Sequence, residues 1–163
     1  MEKVYIGIGS NVDREQNIRA GIGEMRRRFG DLTLSPVYES LAVGFSGDNF
    51  YNLVAGCDTA LTPEQILEEL HEIEALCHRV RGGARYGSRT LDLDLLMYGG
   101  IVYRAGKLRV PRDEITRFAF VLKPLTDIAA DAVHPVLRVR IAELWERFHD
   151  PEQVLWLVQF NPM

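Results

Sequence analysis

Asp92 and Asp94 stand either side of Leu93 in the run Leu91-Asp92-Leu93-Asp94-Leu95. Alternation of apolar and acidic residues at period two marks a strand with two unlike faces. Leu91, Leu93 and Leu95 are predicted to enter a core, and the two carboxylates to project from the opposite face with their Cβ atoms ~7 Å apart. Like charges side by side repel, and a hard divalent cation such as Mg²⁺ relieves that repulsion because carboxylates are ligands it prefers. A solvated strand face is the plainer reading of such a pattern. Against it, Asp is a poor strand former, and the apolar residues Leu95 to Tyr98 that follow suggest a polar cleft beside a core.

The stretch just before strengthens the cleft reading. His78 to Arg89 carries Arg79, Arg81, Arg85 and Arg89 together with Gly82, Gly83 and Gly87. A basic, glycine-bearing loop running into paired carboxylates suits a polyphosphate–metal complex. The acids hold the metal, and the guanidiniums fork onto phosphate oxygens. Glycines at both ends predict that this loop closes when substrates are bound.

The elements that must position these groups follow from periodicity. Lys3 to Ile8 reads as a strand with Val4, Ile6 and Ile8 on one face, ended by a turn at Gly9-Ser10-Asn11. Asp13 is the expected N-cap of a helix whose stripe is Ile18, Ile22, Met25 and Phe29, with Arg26, Arg27 and Arg28 on its solvated side and Gly30 as its C-cap. The glycines at 21 and 23 either weaken this helix or let it pack closely on the sheet. Leu32 to Tyr38 is a second strand, placed at an edge or a bulge by Pro36. A loop from Ser40 to Asn49 carries Val43 and Phe45. Phe50 to Cys57 is a buried strand with Asn52 as its polar member, and a polar group there must find a hydrogen-bond partner.

Thr62-Pro63-Glu64 begins a helix with Ile66, Leu67, Leu70, Ile73 and Cys77 as its buried stripe, and with His71 and Glu74 sharing a neighbouring face. Ile101 to Tyr103 and Lys107 to Val110 read as two short strands. A helix from about Asp113 is expected to kink or restart at Pro124, Ile141 to Phe148 to form a last amphipathic helix, and Val154 to Val158 a closing strand. His134 and His149 read as structural. The order strand, helix, strand, strand, helix, strand is the ferredoxin-like βαββαβ pattern, an antiparallel α+β sheet with helices packed on it and extra C-terminal elements.

Composition fits one domain over residues 1–163. A net charge of −4 argues against a dedicated nucleic-acid binder, whose surface would be broadly basic. Cys57 and Cys77 have no metal-ligand spacing and read as thiols in a reducing compartment. Met1-Glu2-Lys3-Val4 lacks the features of a leader, and no apolar run reaches the ~18 residues of a membrane span. The expectation is a cytoplasmic monomer.

The run Arg85-Tyr86-Gly87-Ser88-Arg89-Thr90-Leu91-Asp92-Leu93-Asp94-Leu95 resembles the signature Arg-Trp-Gly-Pro-Arg-Thr-Leu-Asp-Leu-Asp-Ile of the 6-hydroxymethyl-7,8-dihydropterin pyrophosphokinase family of folate synthesis. Tyr5-Ile6-Gly7-Ile8-Gly9-Ser10-Asn11 is similar to that family's opening, and Phe120-Val121-Leu122-Lys123-Pro124-Leu125 to a segment near its end. The resemblance runs nearly the whole length. It implies transfer of the terminal two phosphates of ATP, as one unit, to the hydroxymethyl oxygen of a reduced pterin, giving AMP. It implies that Asp92 and Asp94 bind two Mg²⁺ ions, and that Arg79 and Arg89 neutralise charge as the β-phosphorus is attacked. On the nucleotide side it points to His71, Glu74, Arg79, Arg81, Tyr86, Arg89, Leu95, Lys107 and Arg112. On the pterin side it points to Val43, Phe50, Asn52, Asp92 and Phe120.

Several positions depart from the family pattern. Arg112 stands where the family usually has His, and Asp113 where an aromatic or Pro is common. Phe118 takes the place of an Arg, with Arg117 beside it. Tyr86 replaces Trp, His71 replaces Gln, and Leu41-Ala42 lacks the family's prolines. A non-catalytic relative on the same fold, or one with an altered acceptor, is the alternative. Retention of Asp92, Asp94, Arg79 and Arg89 together favours the enzyme, since a binding module has no need of all four.

Overall fold

A computed structural model describes residues 1–41, 49–81 and 91–163, with the backbone alone given for 78–81. In chain order its elements are β1 (Glu2–Ser10), α1 (Arg14–Phe29), β2 (Thr33–Leu34), β3 (Val37–Ser40), β4 (Phe50–Thr59), α2 (Pro63–Arg81), β5 (Asp92–Tyr98), β6 (Tyr103–Ala105), β7 (Leu108–Val110), α3 (Glu114–Arg117), α4 (Ala119–Ala129), α5 (Ile141–Arg147) and β8 (Leu155–Val158). The main sheet runs β5-β1-β4-β3-β8, every neighbouring pair antiparallel, with β2 also on β4. Leaving the two-residue β2 aside, β1-α1-β3-β4-α2-β5 is the ferredoxin-like arrangement, and β8 extends it at one edge. β6 and β7 form a separate hairpin.

Alternation along β1 gives the sheet two unlike faces. Val4, Ile6 and Ile8 are at most 3% exposed and meet Ile18, Ile22 and Met25 of α1 and Ile66, Leu70 and Ile73 of α2 in one core. On the other face Val54, Leu96 and Met97 pack with Ile115, Leu122, Leu125 and Ile141 of the C-terminal helices. Burial of side chains this size contributes about 1.5–3 kcal/mol each. α2 starts as its sequence dictates: Gln65 N–H donates to Thr62 Oγ1 at 3.2 Å, and Thr62 N–H donates to Gln65 Oε1 at 2.9 Å. That is a capping box. Cys57 and Cys77 are buried free thiols. Among the described residues no helix is long and apolar enough to cross a membrane.

The structure departs from the sequence expectations at several places, each with a local cause. β1 does not turn at Gly9 but pairs through to Ser10, opposite Tyr51. Asp13 holds the N-cap position of α1 with φ 43° and no side-chain cap hydrogen bond. The single strand expected over 32–38 is two, broken at Ser35-Pro36. Pro36 has no N–H to give the ladder, and the Ser35 side chain substitutes, its Oγ accepting from Val54 N–H at 2.9 Å. Leu34 faces Ala55 and Tyr38 faces Asn52, so four steps on one strand match three on the other, a bulge. The β6–β7 hairpin begins two residues later than expected, leaving Ile101 and Val102 exposed. Helix continuity breaks at Phe118, whose backbone is extended, whereas Pro124 sits buried inside an unbroken α4.

Arg28 is not solvated. Its Nη1 lies 2.7 Å from Glu69 and 2.8 Å from Glu72, both on α2, so it links the two helices beneath the sheet. Gly21 permits close packing of α1 on the sheet: a Cβ there would lie 2.7 Å from Cδ2 of Leu91, just before β5. Arg28→Ala is expected to cost about 1 kcal/mol, since such partly exposed pairs are individually weak, and to lower the melting temperature by about 2–4 °C. Thermal unfolding at low and high salt checks this, because the deficit should shrink as salt rises.

Candidate active site

Three strands build one floor. In register, Gly9 of β1 lies between Asn52 of β4 and Asp92 of β5, and Gly7 lies between Val54 and Asp94. Directly paired residues share a face, so two glycines without side chains are flanked by Asn52 and Val54 on one side and by both carboxylates on the other. Neighbouring strands are ~4.8 Å apart, which places the Asn52 and Asp92 backbones ~10 Å apart across Gly9. The second core stops short of this end of the sheet, and a cavity of about 520 Å³ opens over the glycines. Asn52, Asp92, Asp94, Phe50, Phe120 and Arg112 all line it.

Each side chain is fixed by its surroundings. Asn52 is 7% exposed, and its Nδ2 donates to Ser40 Oγ at 3.0 Å. Phe118 and Phe120 stack with ring centroids 5.0 Å apart. Their presentation depends on the break at Phe118, which Gln153 clamps: its Oε1 accepts from Ala119 N–H at 2.7 Å, and its Nε2 donates to the Arg117 carbonyl at 2.9 Å. Arg112 is tied to β5 by its own N–H, which donates to the Leu96 carbonyl at 2.9 Å. Burial works against the charge of its guanidinium. A hydrogen bond to Glu114, then the fields of Asp94, Glu114 and Asp92, nevertheless push its pKa above the ordinary value. For Glu114 burial raises the pKa, but the Arg112 hydrogen bond wins and the carboxyl sits lower than usual. Arg112 also borders a second cavity of about 450 Å³ with Lys107, Arg109 and Arg117. Asp113 and Glu114 line it too, but four basic side chains against two acidic leave this recess beside the acidic pair net cationic, with Arg112 on the boundary.

The expected residues are placed unevenly. Phe50, Asn52, Asp92, Asp94, Arg112 and Phe120 converge on the first cavity, and Lys107 on the second. Leu95 is 2% exposed in the core under α1 and α2. Leu96 instead faces the cavity, on the same side as Asp92 and Asp94, and a register irregularity opposite Tyr5/Ile6 then turns Met97 to that side as well. His71 is exposed on α2, and Glu74 Oε2 accepts from Leu93 N–H at 2.8 Å. Val43, Tyr86 and Arg89, the side chains of Arg79 and Arg81, and the expected loop closure lie outside the described residues. Sequence reasoning missed Gly7, Gly9, Ser40, Arg109, Glu114 and Phe118 as wall residues. The glycine pair was discoverable, since Gly-x-Gly at strand period puts both on one face.

The donor set suits a hard cation. Among the described residues no group of three or more His, Cys, Asp or Glu could hold a metal ion. Mg²⁺, however, is commonly bound by one or two carboxylates, completing its shell with water and phosphate oxygens. Two acids beside a cationic recess provide for that.

Comparison with known proteins agrees with this reading of the fold. The family model for 7,8-dihydro-6-hydroxymethylpterin-pyrophosphokinase matches residues 5–130. The chain is 39% identical over 159 residues to the folic acid synthesis protein fol1 of Pneumocystis carinii, covering 94% of this chain but 21% of that much longer protein. It is 34% identical over 145 residues to the 2-amino-4-hydroxy-6-hydroxymethyldihydropteridine pyrophosphokinase of Aquifex aeolicus, covering 88% of this chain and 90% of the relative. Among solved structures, the wild-type Plasmodium falciparum HPPK-DHPS with pterin and p-hydroxybenzoate superposes with a TM-score of 0.72 at 14% identity, over 90% of this chain and 43% of that one. At that identity the superposition speaks for the fold alone. From the family match, and from a relative of nearly equal length, the chain belongs to the 7,8-dihydro-6-hydroxymethylpterin-pyrophosphokinase family.

Proposed function

We propose that this chain is an ATP-dependent diphosphotransferase that moves the terminal two phosphates of ATP to the hydroxymethyl oxygen of 6-hydroxymethyl-7,8-dihydropterin, with Mg²⁺ required. The observation that carries the proposal is the convergence of Asn52, two aromatic rings and two carboxylates on one cavity, with cationic Arg112 at its edge. A pterin is flat with a polar edge. Phe50 and Phe120 offer it faces, and Asn52 offers an amide that can both donate to and accept from that edge.

In this reading the ring lies over Gly7 and Gly9 with its edge toward Asn52. Its hydroxymethyl group then reaches toward Asp92 and Asp94, which would hold the metal. The oxygen loses its proton and bonds to the β-phosphorus; the bond from that phosphorus to the α–β bridging oxygen breaks, and AMP leaves. Bound Mg²⁺ would supply Lewis-acid neutralisation of phosphate charge and ease alkoxide formation. Lys107, Arg109 and Arg112 take the nucleotide's phosphates, and Arg79 and Arg89 add positive charge at the reacting phosphorus. His71, Arg81 and Tyr86 complete the nucleotide side, and Val43 the pterin side. The chain acts as one domain, a cytoplasmic monomer.

An assay of AMP release with hydroxymethyldihydropterin and ATP tests the reaction. Calorimetry with a non-hydrolysable ATP analogue tests the site. Removing Mg²⁺ is expected to weaken the analogue by about tenfold or more, equivalent to about 1.4 kcal/mol. Affinity that is indifferent to Mg²⁺ would count against the paired acids as a metal site.

A further inference from the structure

β5 is the outer strand of the sheet, and it carries two residues that resist being there. Asp disfavours strands, and Asp92 and Asp94 repel one another along one face. An edge strand has a row of N–H and C=O groups with no neighbouring strand to take them. In β5 that role falls to other groups at two points. The Leu96 carbonyl accepts from Arg112 N–H, and the Leu93 N–H, midway between the two acids, donates to Glu74 Oε2 at 2.8 Å. A charged acceptor makes this one of the stronger hydrogen bonds available to a backbone amide. Glu74 comes from α2, a long helix anchored by the fully buried Ile66, Leu70 and Ile73, so it is a rigid post rather than a loop contact.

We propose that Glu74 is a positioning residue for the acidic pair. By holding Leu93 N–H from outside the sheet, it fixes the backbone between Asp92 and Asp94 and with it the separation and direction of the two carboxylates. The inference rests on the paired-acid reading above, and it gives Glu74 a task that does not require contact with the nucleotide. Groups that orient metal ligands without touching the metal typically matter by about 10–100-fold in affinity.

The test measures binding of a non-hydrolysable ATP analogue by calorimetry, with and without Mg²⁺, in the wild type, Glu74→Ala and Glu74→Gln. Amide exchange at Leu93 is followed in parallel. Glutamine keeps an acceptor oxygen and alanine does not. The alanine variant is expected to lose about tenfold or more of the affinity that Mg²⁺ adds and to exchange its Leu93 amide faster. The glutamine variant is expected to recover most of both. The idea is overturned by an alanine variant with the wild-type gain from Mg²⁺, by equal losses with and without Mg²⁺, which would indicate direct nucleotide contact, or by a folded glutamine variant as impaired as alanine. A wild type whose binding ignores Mg²⁺ would instead remove the reading on which the inference stands.

Discussion

Asp94→Ala is expected to slow AMP release by about a thousandfold or more while the chain stays folded. A factor of a thousand corresponds to about 4 kcal/mol of lost transition-state stabilisation, within the several kcal/mol that metal-assisted neutralisation of phosphoryl charge supplies. The Asp94 side chain lines the cavity and belongs to neither hydrophobic cluster, so its truncation leaves no void in a core. The backbone around it is held independently by its pairing with Gly7 and by the Glu74 and Arg112 bonds on the outer edge. The loss extends beyond one ligand. Of the acidic pair, Asp94 exerts the larger field on Arg112, so its removal also weakens the hold on the cation at the cavity's edge. Steady-state AMP release and thermal unfolding, measured on the same preparation, separate chemistry from folding. Near-normal release from a folded variant would mean that the acidic strand is only a wet face.

Much of this was legible in the chain because periodicity is local. The stripe of Ile18, Ile22, Met25 and Phe29 and the alternation of Leu91, Leu93 and Leu95 each need only their own neighbours, and all seven side chains are buried. What escaped depends on a partner. Arg28 looks solvated until α2 supplies Glu69 and Glu72. The break at Phe118 is held by Gln153, more than thirty positions away in the chain, so no helix rule applied to residues 113–129 could place it, and Pro124 drew the expectation instead. The alternation in β5 fails at Met97, which shares the face of Leu96, because of a register irregularity against β1, a property of the pair and not of either strand. Gly9 looked like a turn because small polar residues follow it. Only the pairing with Asn52 and Asp92 shows it to be floor.

That floor carries the second large effect. Asn52→Ala is expected to raise the KM for the pterin by about 10–100-fold, the range given by losing ~1.5–3 kcal/mol of buried hydrogen bonding, with a much smaller change in the KM for ATP. Gly9→Ala should reproduce part of that loss without touching the amide chemically. A Cβ on Gly9 would stand 3.0 Å from Asn52 Oδ1, so the amide must give way. It has little freedom to do so: Asn52 is buried, its Nδ2 is tied to Ser40 Oγ, and the Phe50 ring lies 3.9 Å from the same Cβ. Gly9→Ala is therefore expected to raise the pterin KM by about tenfold, through displacement of Asn52 and the methyl's intrusion on the ring's seat. The two changes touch one interaction, so they should not add: in an Asn52→Ala background, where the displaced oxygen is gone, Gly9→Ala should cost markedly less, as coupled neighbours do. Strict additivity in that cycle, or equal rises in both KM values for Asn52→Ala, would show that the amide does not read the pterin edge and that the glycines merely leave space.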